Sequence, residues 1–462
     1  MARIMSSGGG NLLTTAETFD IYVSSILGSD AAGDGSRSNP YATLTKALTV
    51  AANGSRIGML TGFYTDVCST ALTSLTIKAP SGNTPVIYGA TLLTVWAKTG
   101  GQTNVYEAAC TTASVINFWY LEARLTSVAS VATCDTTPNS YYFDDPGDKV
   151  YVNVGGAAPA DTVYAVAGVA ARLSCSGTGV TVDGLTFRYC VQALAISGAS
   201  STVKNCTLEH FSADFSRSAM TVSSGGGHSI SNCTWEDMED SSTSCLVVIG
   251  TTSGSISGCS VDTALNGYIM ASGWTLTNST ADNILFDCVR VNGSTVSYCT
   301  ATNWGHAAFI GGGTVHHCVA NAGAAPTLAN NNGYVCEIGQ TTFWYHNVCA
   351  NTKNATGNGY GYYTNTSTSI LTMRNNISYN NKAGVKRGDA PTVDSDYNCV
   401  NSNTTQYEGT FPVGANDITD DPLFTTPASD FTLQALSPCR GAGEYIAAVS
   451  EKNPASIGRY EY

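Results

Sequence analysis

The chain has 462 residues, a formal net charge of −13 and only 12% charged residues, so Ser, Thr, Asn and Gly carry its polarity. The acidic balance argues against a nucleic-acid partner, and no apolar run is long enough for membrane insertion. Length alone allows two or three ordinary domains, but internal repetition marks the chain as one elongated body.

Residues 1–18 read as a flexible arm without the hydrophobic core of a secretory signal. A strand begins at Phe19. The loop Gly28-Ser29-Asp30-Ala31-Ala32-Gly33-Asp34-Gly35 holds two Asp that suit turn hydrogen bonds better than a cation. Asn39-Pro40 opens a helix predicted over residues 42–52, with Leu44, Ala47, Leu48 and Ala51 on one face and Gly54 as its stop. A short amphipathic helix there covers the open end of a solenoid. Residues 90–165 gather Trp96, Tyr106, Phe118, Trp119, Tyr120, Tyr141, Tyr142 and Phe143. They are expected to form an inserted sheet with those rings as its core rather than as sugar platforms.

From about residue 200 to about 400 one phrase recurs: a β-branched residue, two polar or small residues, then Cys or a stand-in. It reads Val203-Lys204-Asn205-Cys206, Ile230-Ser231-Asn232-Cys233, Ile256-Ser257-Gly258-Cys259, Leu276-Thr277-Asn278-Ser279, Val296-Ser297-Tyr298-Cys299 and Val315-His316-His317-Cys318. Weaker copies end at Val348, Asn376 and Cys399. Intervals of 19 to 30 residues mark a stacked-repeat architecture. A second short strand follows in each unit, as in Cys288-Val289-Arg290-Val291 and Val335-Cys336-Glu337-Ile338. Two or three short strands per unit, with no helix between, make one coil of a parallel β-helix.

Equivalent positions then stack about 4.8 Å apart. The Cys form an inward column, and Asn205, Asn232 and Asn278 a neighbouring one where Asn accepts a left-handed bend. Sixteen Cys placed at the repeat period read as buried free thiols rather than disulfides. With no export signal, folding in a reducing cytosol is expected. Long inserts at 210–219, 235–244 and 320–333 would wall a groove.

The opening Tyr22-Val23, Gly28-Ser29-Asp30, Gly33-Asp34-Gly35 and Asn39-Pro40-Tyr41-Ala42-Thr43-Leu44 resembles the start of bacterial and viral right-handed parallel β-helix proteins of the pectate-lyase-like superfamily. Tyr141-Tyr142-Phe143-Asp144 with Val150-Tyr151-Val152 resembles a strand pair common in them. So does the ending, Asp421-Pro422-Leu423-Phe424, Asp430-Phe431-Thr432-Leu433 and Ser437-Pro438. The resemblance implies an all-β, right-handed, single-stranded parallel β-helix with an N-terminal capping helix and an inserted β region. Its divisions would be an arm (1–18), a helix-capped start (19–90), an insertion with early coils (91–170), regular coils (171–410) and a C-terminal cap (411–462). The superfamily holds polysaccharide lyases, glycoside hydrolases, phage tailspikes and non-catalytic members, so the partner it implies is a polysaccharide.

The lead expectation is a tailspike or virion fibre, a homotrimer seated on other virion proteins, that binds a host surface glycan, with cleavage of that glycan left open by the sequence. The first alternative is a secreted lyase or hydrolase; the second is a non-enzymatic adhesive or structural solenoid.

A glycan would lie along the outer face of one parallel sheet. If Val289 and Val291 point inward, Arg290 points out; if Cys336 and Ile338 point inward, Glu337 points out. A uronate lyase needs a cation for the carboxylate, a base for the α proton and a donor for the leaving oxygen. Arg290, His306, Lys386 and Arg387 could supply these, with Trp304, Tyr360 and Tyr362 binding sugar. A glycosidase needs two carboxyls; Glu337 is one, and Asp282, Asp287 and Asp389 are available partners. No cofactor is required by this chemistry. Ca²⁺ is the one ion the sequence leaves room for, at the acidic loop Glu236-Asp237-Met238-Glu239-Asp240. His316-His317 is read as lying in a strand with its rings facing opposite ways, so it is not a joint metal site.

Overall fold

A computed structural model describes residues 17–460, apart from 113–114, 168–170, 212–217, 238–243, 249–252, 324–330, 354–356, 366–367 and 390. Three long parallel sheets, of 13, 12 and 12 strands, form a parallel β-helix. Each coil visits the first sheet (Thr202–Lys204 in one coil), the second (Thr207–Glu209) and the third (Ser218–Val222), then returns to the first. Pairing is parallel and in register from coil to coil, as in Val203↔Ile230 and Ile230↔Ile256. One continuous core fills the solenoid, from Ile21 to Phe411.

The turn from the first to the second sheet explains the Cys phrase. Asn205, Asn232 and Asn278 have φ of 53°, 51° and 50°, the left-handed conformation Asn tolerates. The next residue points inward, and its side chain accepts the backbone N–H of the equivalent residue one coil earlier. Cys233 N donates to Cys259 Sγ, Cys259 N to Ser279 Oγ at 3.2 Å, and Cys318 N to Asn347 Oδ1 at 2.9 Å. Asn347 N then donates to Asn376 Oδ1 and Asn376 N to Asn398 Oδ1, both at 3.0 Å. Cys, Ser and Asn share the column because each supplies an acceptor at the same depth. The column therefore runs through Asn347 and Asn398, not through the expected Val348 and Cys399. Those two sit one residue later and face outward, under the C-terminal segment. All sixteen Cys are buried free thiols.

The helix spans Leu44–Val50, with Thr43 as its N-cap, and buries Leu44 and Ala47 against the first coil. Its predicted ends at 42 and 52 lie outside the helical turns. Asp30 accepts Ala42 N at 2.8 Å and Thr43 Oγ1 at 2.6 Å, so it braces the helix start. The inserted β unit leaves the coil after Pro85–Tyr88 in the second sheet and rejoins at Leu173–Cys175 in the third. It is the longest of the second-to-third turns. Phe118, Tyr141, Val150, Val152 and Val163 form its own core.

The third sheet bends. Pairing skips one residue in successive coils, for example Asp287↔Ala307 then Val289↔Phe309, and Tyr360↔Ala383 then Tyr362↔Val385. The skipped residue and the next both face the core. Small residues occupy the bend because there is no room: a Cβ on Gly333 would lie 2.1 Å from Cys349 Sγ, and one on Gly361 2.4 Å from Ser378 Oγ.

Candidate functional site

The bend sets which side chains of the third sheet reach its outer face. One outward column reads Asp287, Ala307, Asn332, Tyr360, Ala383 and the other Arg290, Ile310, Val335, Tyr363, Lys386, Glu408. At the first end of this strip, fully buried Asp287 gathers two partners. Arg290 Nε donates to its Oδ2 at 2.7 Å, and His306 Nδ1 lies 2.7 Å from Oδ1. Burying a carboxylate is costly unless it is paired, and here both partners keep 31% of their side-chain surface exposed. The His306 ring stacks on Phe286 at 4.5 Å and 11°, and the Arg290 guanidinium lies 6.0 Å from the same ring. With Nδ1 facing a carboxylate, Nδ1 carries the proton and Nε2 is the basic nitrogen.

A second cluster lies at the other end. Lys386 Nζ donates to Tyr360 Oη at 2.6 Å and pairs with Glu408 at 2.8 Å. Four strand spacings, about 19 Å, separate Arg290 from Lys386 along one column. Between them the floor is mostly apolar: Ala307, Ile310 and Val335, with buried Asn332 and half-buried Tyr363. Arg290 and His306 are therefore at one end of the strip and Lys386 at the other, each cation paired with a carboxylate.

The other predicted residues fall elsewhere. Trp304 is fully buried in the solenoid core and cannot bind sugar. Tyr362 is also buried, stacked 4.8 Å from Tyr334; the bend makes Tyr360 and Tyr363 the outward pair instead of Tyr360 and Tyr362. Glu337 follows the strand Asn332–Cys336 in a turn, and Ile338 is 63% exposed rather than inward. Arg387 donates to Thr410 O and Pro391 O, tying a turn together. His317 has left its strand with φ 53°, so its Nδ1 lies 3.0 Å from that of His316 rather than facing away.

Sequence reasoning missed a column on the second sheet. Glu209, Glu236, Asp262 and Asp282 stack on its outer face. Partial burial, then the Glu209, Asp237 and Asp262 charges, push the Glu236 carboxyl above its ordinary range. The signal was present: in four successive coils an acid stands three residues after the ladder residue Cys206, Cys233, Cys259 or Ser279. Residues 238–240 of the expected Ca²⁺ loop lie outside the described residues. Among the described residues no three His, Cys, Asp or Glu come together as a metal site, and no helix is long and apolar enough to cross a membrane.

No protein-family model matches the chain, and no curated protein sequence matches it. Solved structures do. A glycoside hydrolase aligns over 90% of this chain and 99% of its own, at 12% identity and a TM-score of 0.57. The pectate lyase Pel9A aligns over 96% of both chains at 12% identity and a TM-score of 0.42. A rhamnogalacturonan lyase covers 88% of this chain and 90% of its own, at 12% identity and a TM-score of 0.44. At such identity the likeness is one of fold, carried by the first of the three.

Proposed function

We propose that the protein binds an acidic polysaccharide along the outer strip of the third sheet and cleaves it by elimination. The observation that carries this is the Asp287-centred pair: a cation and an oriented imidazole on one buried carboxylate. Arg290 neutralises the uronate carboxylate, which acidifies the adjacent C–H. His306 Nε2 takes that proton, the C–H electrons become a C=C bond, and the glycosidic C–O bond breaks. The leaving oxygen takes a proton, which the newly protonated imidazole can return. Lys386 is too distant for the same bond and serves a second uronate along the chain. The apolar floor between them suits the flat faces of intervening sugars. The parallel β-helix shared with a glycoside hydrolase supports a glycan-acting role.

The test is a digest of acidic bacterial-surface, plant and algal polysaccharides, followed by ultraviolet absorbance and reducing ends. Both should rise together. His306→Ala should lower turnover by about 10² or more, with Arg290→Ala weakening binding as well. Reducing ends without absorbance would instead mean hydrolysis and would shift attention to the Glu209–Glu236 column. Sixteen buried free thiols support folding in a reducing cytosol, which suits a virion fibre released by lysis better than an exported enzyme. Such a spike should be a trimer by light scattering; a monomer at all concentrations would overturn the tailspike role and leave the secreted enzyme.

A further inference from the structure

A pocket stands where the inserted β unit meets the first regular coils, and the strip chemistry does not use it. Leu121, Glu122, Asp161, Thr162, Tyr164, Arg188 and Tyr189 line about 360 Å³. Its floor is an aromatic stack. Tyr164 lies 4.1 Å from Tyr189 at 18°, Tyr189 lies 5.3 Å from His210 at 15°, and Tyr88 backs Tyr164 at 5.3 Å. Tyr189 is buried, while Tyr164 is half-buried at the pocket side.

Its rim is charged. Arg188 is held by Glu209 through its Nε, and its Nη1 lies 3.7 Å from Glu122. The rim hairpin is also strained. Strands Val115–Tyr120 and Ala123–Arg124 pair through Tyr120↔Ala123, leaving Leu121 and Glu122 as a two-residue turn with φ of 47° and 64°. That is a type I′ turn, whose positions favour Asn and Gly. Leu121 is 61% exposed and the Glu122 side chain 65%, so core packing does not account for either choice. Strain kept in a surface turn beside a pocket points to a ligand.

We infer that this pocket binds a neutral sugar ring of the same glycan. The stack takes the apolar face of the ring, and the Glu122 and Asp161 carboxylates accept its hydroxyls. The one cation, Arg188, is already engaged by carboxylates, so an anionic sugar would meet net negative charge. On the strip each carboxylate is matched by a cation, Asp287 by Arg290 and Glu408 by Lys386, so an anionic sugar meets no excess of negative charge there. Together they define the substrate class as a heteropolysaccharide with both uronate and neutral residues. The pocket also borders the second-to-third turns from which His306 comes, five strand spacings or about 24 Å earlier along the axis, so one chain can engage both and gain affinity by tethering.

The inference rests on the glycan-binding reading above, and its test separates the two. Calorimetric titration with an array of neutral plant and bacterial-surface oligosaccharides should find a binder. Tyr164→Ala and the double variant L121N/E122G should each weaken it about tenfold or more. Because Asn-Gly suits the turn, L121N/E122G should melt higher than the parent, which excludes misfolding as the cause. Arg290→Ala with His306→Ala should leave neutral-sugar binding intact while abolishing cleavage of uronate polymers. Unchanged binding in L121N/E122G, or no neutral binder for the parent protein, overturns the pocket. Neutral binding lost in that variant, with no unsaturated product from any uronate polymer, upholds the pocket and overturns the lyase.

Discussion

The early and late coils of the second sheet use the same backbone and different chemistry. In the early coils the first outward position is Thr207, Thr234, Ser260, Thr280 and Thr300, and the next outward position carries the acidic column in the first four of these and Thr302 in the fifth. In the late coils the first position becomes Val319, Val348, Ile377 and Cys399, packed against Phe424, Phe431, Leu433 and Ile457 of the C-terminal segment. The inward ladder changes with it, from Cys to Asn. A hydroxyl column that turns apolar thus marks where a solenoid face stops meeting water and starts meeting its own chain.

The sharpest probe of this contrast is Asn376→Ala. Asn376 Oδ1 accepts from both Asn347 N and Asn347 Nδ2, and its Nδ2 donates to Trp344 O and Arg374 O. Removing it strands several buried groups, so urea unfolding should show a loss of roughly 3 kcal/mol or more. A loss below about 1 kcal/mol would place the Asn ladder on a par with the thiols.

Acid should also single out the late coils. Burial lowers His316 to about 4, His317 to about 3 and His346 to about 4. His317 and His346 stack at 4.8 Å; His346 disfavours the charge of His317, and His316 disfavours that of His346. Arg459 adds to that repulsion on His317, and Glu451 favours the charge of His316. Between pH 6.5 and about 4 the unfolded chain binds protons that the folded chain refuses. Stability is therefore complete above about pH 6.5 and falls as pH drops to about 4, by up to about 1.4 kcal/mol per unit for each ring. His346→Gln should flatten that slope in urea titrations at stepped pH; an unchanged slope would clear the histidines.

Val348→Thr should cost about 1–2 kcal/mol, because it buries a hydroxyl under the cap. The converse Thr280→Val should stay within about 0.5 kcal/mol. Equal effects in thermal melts would erase the distinction between the two faces. Smallest of all, Cys259→Ser should shift stability by less than about 1 kcal/mol, since Ser279 already holds the next rung.

The solenoid was readable because its period is written in local residues: an Asn that accepts positive φ, then an acceptor-bearing side chain. The ladder went out of step at Val348 because a β-branched residue under a cap looks like one facing the core. Alternation failed at Tyr362 because the bend places two consecutive residues inward, and Gly361 was the only local mark of it. Arg290 was correctly read as outward, but Asp287, three residues earlier, had no visible role until His306 arrived from the neighbouring coil. The pocket at Leu121 and Arg188 joins segments that no repeat relates, and only tertiary structure brings them together.

The C-terminal segment has a mechanical consequence. In a simple solenoid each coil answers only to its neighbours, so either end can fray. Here Arg459 donates to Thr300 Oγ1 and Tyr298 O, Gly458 N to Asn375 O at 2.6 Å, and His346 lies 3.1 Å from Ser456 O. These contacts staple coils that are not neighbours, turning the late half into a single block. Under tension, or in slow hydrogen exchange, opening should therefore travel in from the helix-capped end and stall at the staple.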